Sequence, residues 1–293
     1  MELDQAAVYL ARYGYLAGNI ASVATDPGMA NTLVTDAIAD FQTTAGLAVS
    51  GQLDDATVDK MSQPRCGCLD VQRNVAEWAS WRKRDLKYFV EKRVGGLSAG
   101  DVDELIALAW KDWTDVADFR IQPTDSSASA DIVISTGRGR GDGFDGPSGT
   151  LAWAYLPNGN DGRLLCRFDI DETWLRDNPQ GGILFRNVAC HEFGHLLGLE
   201  HSRVSSALMA PFYSPGTPSP KQNDDIPRIQ GLYGKATTPP LPPGPAVPAN
   251  TIRMAKHLPA GKYGDITLGS AAGPGDYAIF LAGDGQPPPV PEE

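Results

Sequence analysis

Twelve consecutive residues constrain this chain more than any other stretch: Cys190-His191-Glu192-Phe193-Gly194-His195-Leu196-Leu197-Gly198-Leu199-Glu200-His201. They hold three of the four histidines in the sequence. On a helix, His191 and His195 stand four residues apart, so both imidazoles leave one face and can share a single divalent ion. Gly198 can adopt a positive φ, end that helix and return the chain so that His201 supplies a third nitrogen. Three neutral imidazoles suit zinc and leave a fourth tetrahedral position for water, the pattern of a catalytic rather than a structural site. Glu192, beside the first ligand, is placed to take that water's proton.

A bare His-Glu-x-x-His arises often by chance, whereas the extended form is far more specific. Here it is followed by Ser202, by Ala207-Leu208-Met209 and by Pro211-x-Tyr213. Together these resemble the metzincin zinc site with its Met-turn, and in particular the matrixins, the matrix metalloproteinase family. The resemblance implies an α+β catalytic domain, a twisted mixed five-stranded sheet with three helices, preceded by a small three-helix propeptide domain. It implies that Met209 forms an apolar floor beneath the zinc. Pro211 and Tyr213 would then wall the pocket for the substrate side chain just after the scissile bond.

The resemblance covers about residues 35 to 235 and divides the chain. Residues 1–63 read as helical: Leu3, Ala7, Leu10 and Gly14 sit at helical spacing, a second helix carries Ile38, Phe41 and Gln42 up to Gly46, and Asp54 is an N-cap for a third with Val58 and Met61. This region resembles the peptidoglycan-binding-like domain that also forms the propeptide of many matrixins. Two readings stay open, a wall-polymer-binding module or the folded carrier of an inhibitory segment. Within residues 64–80, Pro64-Arg65-Cys66-Gly67-Cys68-Leu69-Asp70 resembles the matrixin cysteine switch, Pro-Arg-Cys-Gly-x-Pro-Asp, and departs from it at Cys68 and Leu69. A thiolate is a strong soft ligand for zinc, so Cys66 would fill the fourth position and exclude water. The extra thiol leaves the identity of the blocking sulfur open, and loss of the proline removes a fixed φ.

Residues 81–235 form the catalytic domain in this reading. Leu86, Tyr88 and Val90 alternate as a strand, a helix spans about Ser98 to Asp115, and strands follow at Asp131–Ser135, Leu151–Tyr155 and Leu164–Asp169. By resemblance, the Leu151 and Ala152 backbone borders the cleft and pairs with an extended substrate, Asn187 sets the pocket's depth, and Asp224-Asp225 opens the final helix. Matrixins commonly hold a second, structural zinc after the central strand. The aligned positions here are Arg140-Gly141-Asp142, Trp153 and Arg167, without a histidine, so no structural zinc is expected, and one or both arginines are expected to pair with Asp142 through a bidentate fork instead. Arg140-Gly141-Asp142 also spells an adhesion tripeptide, which its family position explains better. The calcium pattern survives by resemblance: Asp145, Asp169 and Glu172 carboxylates with Gly146, Ser148 and Thr150 carbonyls. Asp131 and Asp161 are candidates for a second calcium.

Residues 236–250 are a proline-rich linker, and residues 251–293 contain two strand-like runs and His257. Net charge of −11 argues against nucleic acid or an anionic membrane as partner. No apolar run approaches the ~18 residues of a membrane span, and the N-terminal residues do not read as a signal peptide. Family resemblance implies an extracellular or cell-surface site; trimming, another export route and retention inside the cell stay open. Cys166 and Cys190 are expected as buried free thiols. The reading is a monomeric latent zinc endopeptidase acting on protein or peptide. The rivals are a wall-polymer-binding protein with a silent protease-like domain, and another class of zinc hydrolase.

Overall fold

The computed structural model describes residues 1–16, 27–71, 80–237, 261–263, 266–270 and 277–281. Two units are present, Met1–Thr237 and Thr238–Glu293.

The first unit is α+β. Its helical part comprises α1 (Leu3–Arg12), α2 (Pro27–Ala45) and α3 (Asp55–Met61). Asp54 caps α3 by accepting the Thr57 N–H at 2.9 Å, and Gly46 follows α2 with φ +70°. The buried face of α1 is Ala6, Ala7 and Leu10, while Leu3 is exposed because it lies in the first turn, beyond the helices it could pack on. These residues join Ile38, Phe41 and Met61 in a small core.

The larger core lies between a sheet and two helices. The sheet runs β1-β5-β6-β4-β2-β3, with β1 Arg65–Cys66, β2 Asp85–Val90, β3 Arg120–Pro123, β4 Ile132–Gly137, β5 Thr150–Ala154 and β6 Leu164–Asp169. Five of these strands lie within residues 81–235 and form a mixed sheet, with β5 antiparallel to β6 and the other three pairings parallel. The sixth, β1, comes from the cysteine segment and adds to the free edge of β5 in parallel. The central strand β4 is buried along its whole length, as expected for a strand covered on both faces.

Helix α4 (Ala99–Thr114) starts at Ser98, whose side chain accepts the Asp101 N–H, and buries Val102, Leu105, Ile106 and Ala109. Trp110 and Trp113 on the same face were not anticipated as core. Trp110 stacks on Phe193 with ring centroids 3.9 Å apart, and Trp113 Nε1 donates to the Cys190 carbonyl at 2.8 Å. Those contacts fix α5 (Phe185–Leu196), the histidine helix, against the sheet's partner helix. Two short strands, β7 (Trp174–Leu175) and β8 (Ile183–Leu184), pair just before α5, and α6 (Asp225–Tyr233) closes the unit. No helix of the described residues is long and apolar enough to cross a membrane.

In the second unit, β9 (Gly261–Tyr263), β10 (Ile266–Ser270) and β11 (Tyr277–Leu281) form an antiparallel sheet in the order β11-β10-β9. The sequence had indicated two of these strands. The linker from residue 238, His257 and the segment at 72–79 lie outside the described residues.

Candidate metal centre and cleft

His191 and His195 leave one face of α5, and Gly198, with φ +100°, turns the chain so that His201 joins them. The three rings stand with centroids 4.8, 4.9 and 5.3 Å apart. His191 Nδ1 lies 2.7 Å from the Leu208 carbonyl and His195 Nδ1 lies 2.7 Å from the Leu199 carbonyl. A carbonyl can only accept, so both Nδ1 atoms carry hydrogen and both Nε2 atoms present lone pairs. Those Nε2 atoms face each other at 3.2 Å, and Cys66 Sγ is 3.4 Å from His195 Nε2. Nitrogens about 2.0 Å from a tetrahedral zinc lie roughly 3.3 Å apart, so the spacing suits ligands of one ion. His201 Nδ1 lies 2.7 Å from Asp70 Oδ1, and its Nε2 is buried without a hydrogen-bond partner. Donor atoms of Cys66, His191, His195 and His201 all lie within 4.8 Å of one another.

Burial lowers His191 and His201 below the usual histidine range, keeping them neutral. Burial also works against charge on His195, but the Cys68 sulfur, Glu192 and the Leu199 carbonyl together outweigh it and raise that group to about 9. A proton on His195 is one way to relieve two facing lone pairs; a divalent cation relieves them and serves every donor present. The residues therefore fit zinc. Glu192 is fully buried, both carboxylate oxygens lack hydrogen-bond partners, and burial, followed by the Cys68 charge, pushes its carboxyl up to about 8.

Met209 is fully buried directly under α5, and a Cβ at Gly194 would lie 2.3 Å from Met209 Sδ. Gly194 thus permits the close approach of the Met209 turn, a requirement that sequence reasoning passed over although the glycine stood inside the motif. Asp225, also fully buried, holds that turn by accepting the Leu208 and Met209 N–H groups at 2.7 and 3.0 Å. Tyr213 accepts the Leu184 N–H at 2.9 Å. Asn187 turns its amide toward the Ser214 and Pro215 carbonyls, at 3.3 and 3.0 Å. A cavity of about 30 Å³ remains between Cys66, Leu151, Asn187, His191 and Tyr213, room for about one water.

The cysteine segment lies in the cleft. The Arg65 and Gly67 N–H groups donate to the Gly149 and Ala152 carbonyls, while the Cys66 and Tyr213 N–H groups bond to the Pro211 and Pro64 carbonyls. Residues 64–67 are therefore zipped between β5 and the Pro211–Tyr213 wall, on the edge that Leu151 and Ala152 were expected to offer a substrate. Arg65, which the sequence reading did not single out, anchors this segment. Its Nη2 pairs with Asp70 Oδ1 at 2.5 Å, its Nη1 donates to Tyr9 Oη at 2.8 Å, and its Cζ lies 3.5 Å over the Tyr13 ring. Tyr15 donates to Asp70 Oδ2 at 2.6 Å. Burial opposes both charges, yet Asp70 keeps Arg65 raised, and Arg65 with His201 keeps Asp70 well below the usual carboxylate range. The signal that could have found this pair was two opposite charges, five residues apart, flanking the cysteines.

At the glycine-rich loop, Arg167 pairs with Asp142 Oδ1 through one nitrogen rather than a two-pronged fork. Asp142 Oδ2 accepts the Arg138 N–H at 2.9 Å, and Trp153 Nε1 donates to the Asp142 carbonyl at 2.7 Å. Arg140 is exposed. Of the calcium candidates, Asp145 Oδ1 accepts the Thr150 N–H at 2.8 Å while its Oδ2 pairs with Arg12. Glu172 Oε1 accepts the Ser148 N–H at 2.6 Å, and Ser148 (φ +66°) and Gly146 (φ +94°) shape the loop. Asp169 is fully buried with Oδ2 unpartnered, and burial, reinforced by Asp169 and Asp145, raises Glu172 to about 7. These carboxylates are neighbours but do not converge within 4.8 Å as the imidazoles do. Asp131 pairs with Lys83 at 2.5 Å and accepts the Lys87 N–H at 2.9 Å, and Asp161 accepts the Arg82 N–H at 2.9 Å. Cys166 and Cys190 are buried free thiols.

Residues 80–234 match the family model described as Matrixin, and residues 2–61 match one described as a putative peptidoglycan binding domain. The chain belongs to the matrixin family. This matrixin is 41% identical to the hatching enzyme of Paracentrotus lividus over 212 residues, covering 71% of the chain and 35% of that protein. It is 40% identical to matrix metalloproteinase-18 of Xenopus laevis over 223 residues (73% of the chain, 47% of the relative). Identity to the interstitial collagenase of Bos taurus is 39% over 221 residues (74% and 46%). The chain thus spans between about a third and a half of the length of these relatives.

Proposed function

We propose that this matrixin is a zinc-dependent metalloendopeptidase held latent by its own cysteine segment. His191, His195 and His201 are the zinc ligands in this reading, and Cys66 is the fourth ligand of the latent form. Residues 1–63 serve as propeptide domain, 64–80 as switch and linker, 81–235 as catalytic domain, 236–250 as linker, and 251–293 as a C-terminal segment. The observation that carries the proposal is the meeting of three buried imidazoles and one thiol whose donor atoms all lie within 4.8 Å of one another.

Zinc, when bound, supplies Lewis acidity that polarises the scissile carbonyl and makes water a nucleophile at neutral pH. The chain's residues do the rest. Backbone groups of Leu151 and Ala152 pair with an extended peptide once residues 65–67 leave that edge. Asn187, Pro211 and Tyr213 line the pocket for the side chain after the scissile bond. The Glu192 carboxylate takes a proton from the attacking water and returns it to the leaving amine nitrogen. Its buried and unpartnered oxygens favour that role, because no other hydrogen bond has to break first.

The carrier reading of residues 1–63 is preferred to that of a wall-polymer anchor because their aromatic surface is spent on the latch. Tyr9 and Tyr13 surround Arg65, and Phe41 meets Phe212 edge-on at 6.1 Å. A protein substrate and an extracellular site follow from the same reading. Calcium held by Asp145, Asp169, Glu172 and the Gly146, Ser148 and Thr150 carbonyls would stabilise the loop that carries β5. Glu192→Ala tests the proposal: zinc content should stay at the wild-type level while turnover of a quenched peptide, after release of the cysteine segment, falls by roughly 100-fold or more. Retained turnover would refute it.

A further inference from the structure

We propose that Cys66 and Cys68 are a dithiol–disulfide pair, a modification site at which a small disulfide oxidant closes a Cys-Gly-Cys ring and withdraws Cys66 from the imidazole cluster. The inference rests on the reading of Cys66 as the fourth ligand. It adds a reversible way to open the cleft that needs no cleavage of the chain.

Both thiols are free, and a single residue separates them. The Cys68 N–H points at Cys66 Sγ at 3.3 Å, and the two sulfurs share a cluster with Glu192 and His195 whose donor atoms all lie within 4.8 Å. Access to the two is unequal. Cys66 borders the 30 Å³ cavity, whereas Cys68 lines an open groove of about 990 Å³ together with Leu69, Trp153 and Tyr155. Both sulfurs are buried, and the Cys68 thiol donates to the Ala154 carbonyl at 3.2 Å, so a small disulfide reaches Cys68 from the groove once that bond opens.

In the first step the Cys68 sulfur attacks one sulfur of the oxidant, the oxidant's S–S bond breaks, and one small thiol leaves with the Cys68 proton. In the second, the Cys66 sulfur leaves the imidazole cluster as a thiolate and attacks Cys68 in the mixed disulfide, and the second small thiol leaves as a thiolate that takes its proton from water. Two protein thiols are oxidised and one small disulfide is reduced to two thiols. Ring closure needs the two Cα atoms within about 4.4–6.8 Å. The strand ends at Cys66 and the chain bends at Cys68, so the two residues lie no farther apart than the roughly 6.6 Å of an extended i to i+2 pair, and closing the ring tightens the bend at Gly67. Bending gives up the Gly67 N–H bond to Ala152 at 2.7 Å and the Cys66 N–H bond to Pro211 at 2.9 Å, the bonds that hold the segment in the cleft.

The test uses the full chain with zinc, exposed to oxidised glutathione and then to dithiothreitol. Residual thiols are alkylated after denaturation, and the tryptic peptide running from Cys66 to Arg73, which contains both cysteines, is weighed. Expected are an unalkylated peptide two hydrogens lighter than the dithiol, a parallel gain in cleavage of a quenched peptide, and reversal of both by dithiothreitol. Cys68→Ser and Cys68→Ala should lose the internal disulfide and the glutathione response, yet should still gain turnover when Cys66 is alkylated directly in the native chain. A peptide that stays a dithiol, one that carries only glutathione on Cys66, or a closed ring with unchanged turnover would overturn the inference. Failure of direct alkylation to open any of the three proteins would overturn the latency reading itself, and this inference with it.

Discussion

The buried imidazole cluster and the partly exposed Asp142 loop treat their polar groups in opposite ways. At the cluster, His191 and His195 spend Nδ1 on carbonyls and leave Nε2 lone pairs facing at 3.2 Å, His201 Nε2 has no hydrogen-bond partner, and Glu192 has none either. At the loop, Asp142 has Arg167 on one oxygen and the Arg138 N–H on the other, and Trp153 closes over its carbonyl. Buried polar groups left unsatisfied cost on the order of 1–3 kcal/mol each, so a fold tolerates such a set where something else completes it. The first region asks for an ion; the second has completed itself with side chains. The calcium loop falls between, with Asp169 Oδ2 buried and bare but Asp145 already held by Arg12.

The largest effect is expected at the Arg65–Asp70 pair. Asp70→Ala leaves Arg65 buried without its carboxylate partner, a change expected to cost about 3–5 kcal/mol. Thermal unfolding of the full chain should shift accordingly and, on the proposed function, basal peptide cleavage should rise, because the same residue steadies the segment that carries Cys66. An unchanged melting temperature would mean that the pair contributes nothing to latency. At the intermediate region, a calcium concentration about 100-fold above its dissociation constant should add about 2.7 kcal/mol of stability. Asp169→Asn should abolish that calcium-dependent rise in melting temperature, and a calcium response that survives would remove Asp169 from the site. The smallest effect belongs to Arg167→Gln. Its partner Asp142 is exposed to solvent, so the melting temperature should move only slightly and the zinc content not at all. Loss of zinc in this variant would tie the loop to metal binding after all.

The cluster was legible in the sequence because its geometry is local: a four-residue spacing on one helix and a glycine turn place all three imidazoles. The exchange at Asp142, Trp153 and Arg167 was legible by contrast with the family pattern, although the single-nitrogen contact of Arg167 was not. The latch was not legible beyond its cysteines, since Arg65 meets Tyr9 and Tyr13 from a helix more than fifty residues earlier and pairs along β5 some eighty-five residues later. Strands β7 and β8 are two residues each, too short to show a period of two. Exposed Arg120–Pro123 reads as polar chain because β3 is an edge strand. Gly194 was visible but silent, because its meaning lies in the distance to Met209, which no local pattern encodes.

The most direct test is X-ray absorption at the zinc edge of the full chain, recorded with metal content before and after alkylation of the native protein. The account predicts one zinc per chain, bound by three nitrogens and one sulfur at about 2.3 Å, with the sulfur lost and a light atom gained when Cys66 is alkylated. Two zincs per chain, or a single zinc without sulfur in the untreated protein, would contradict it.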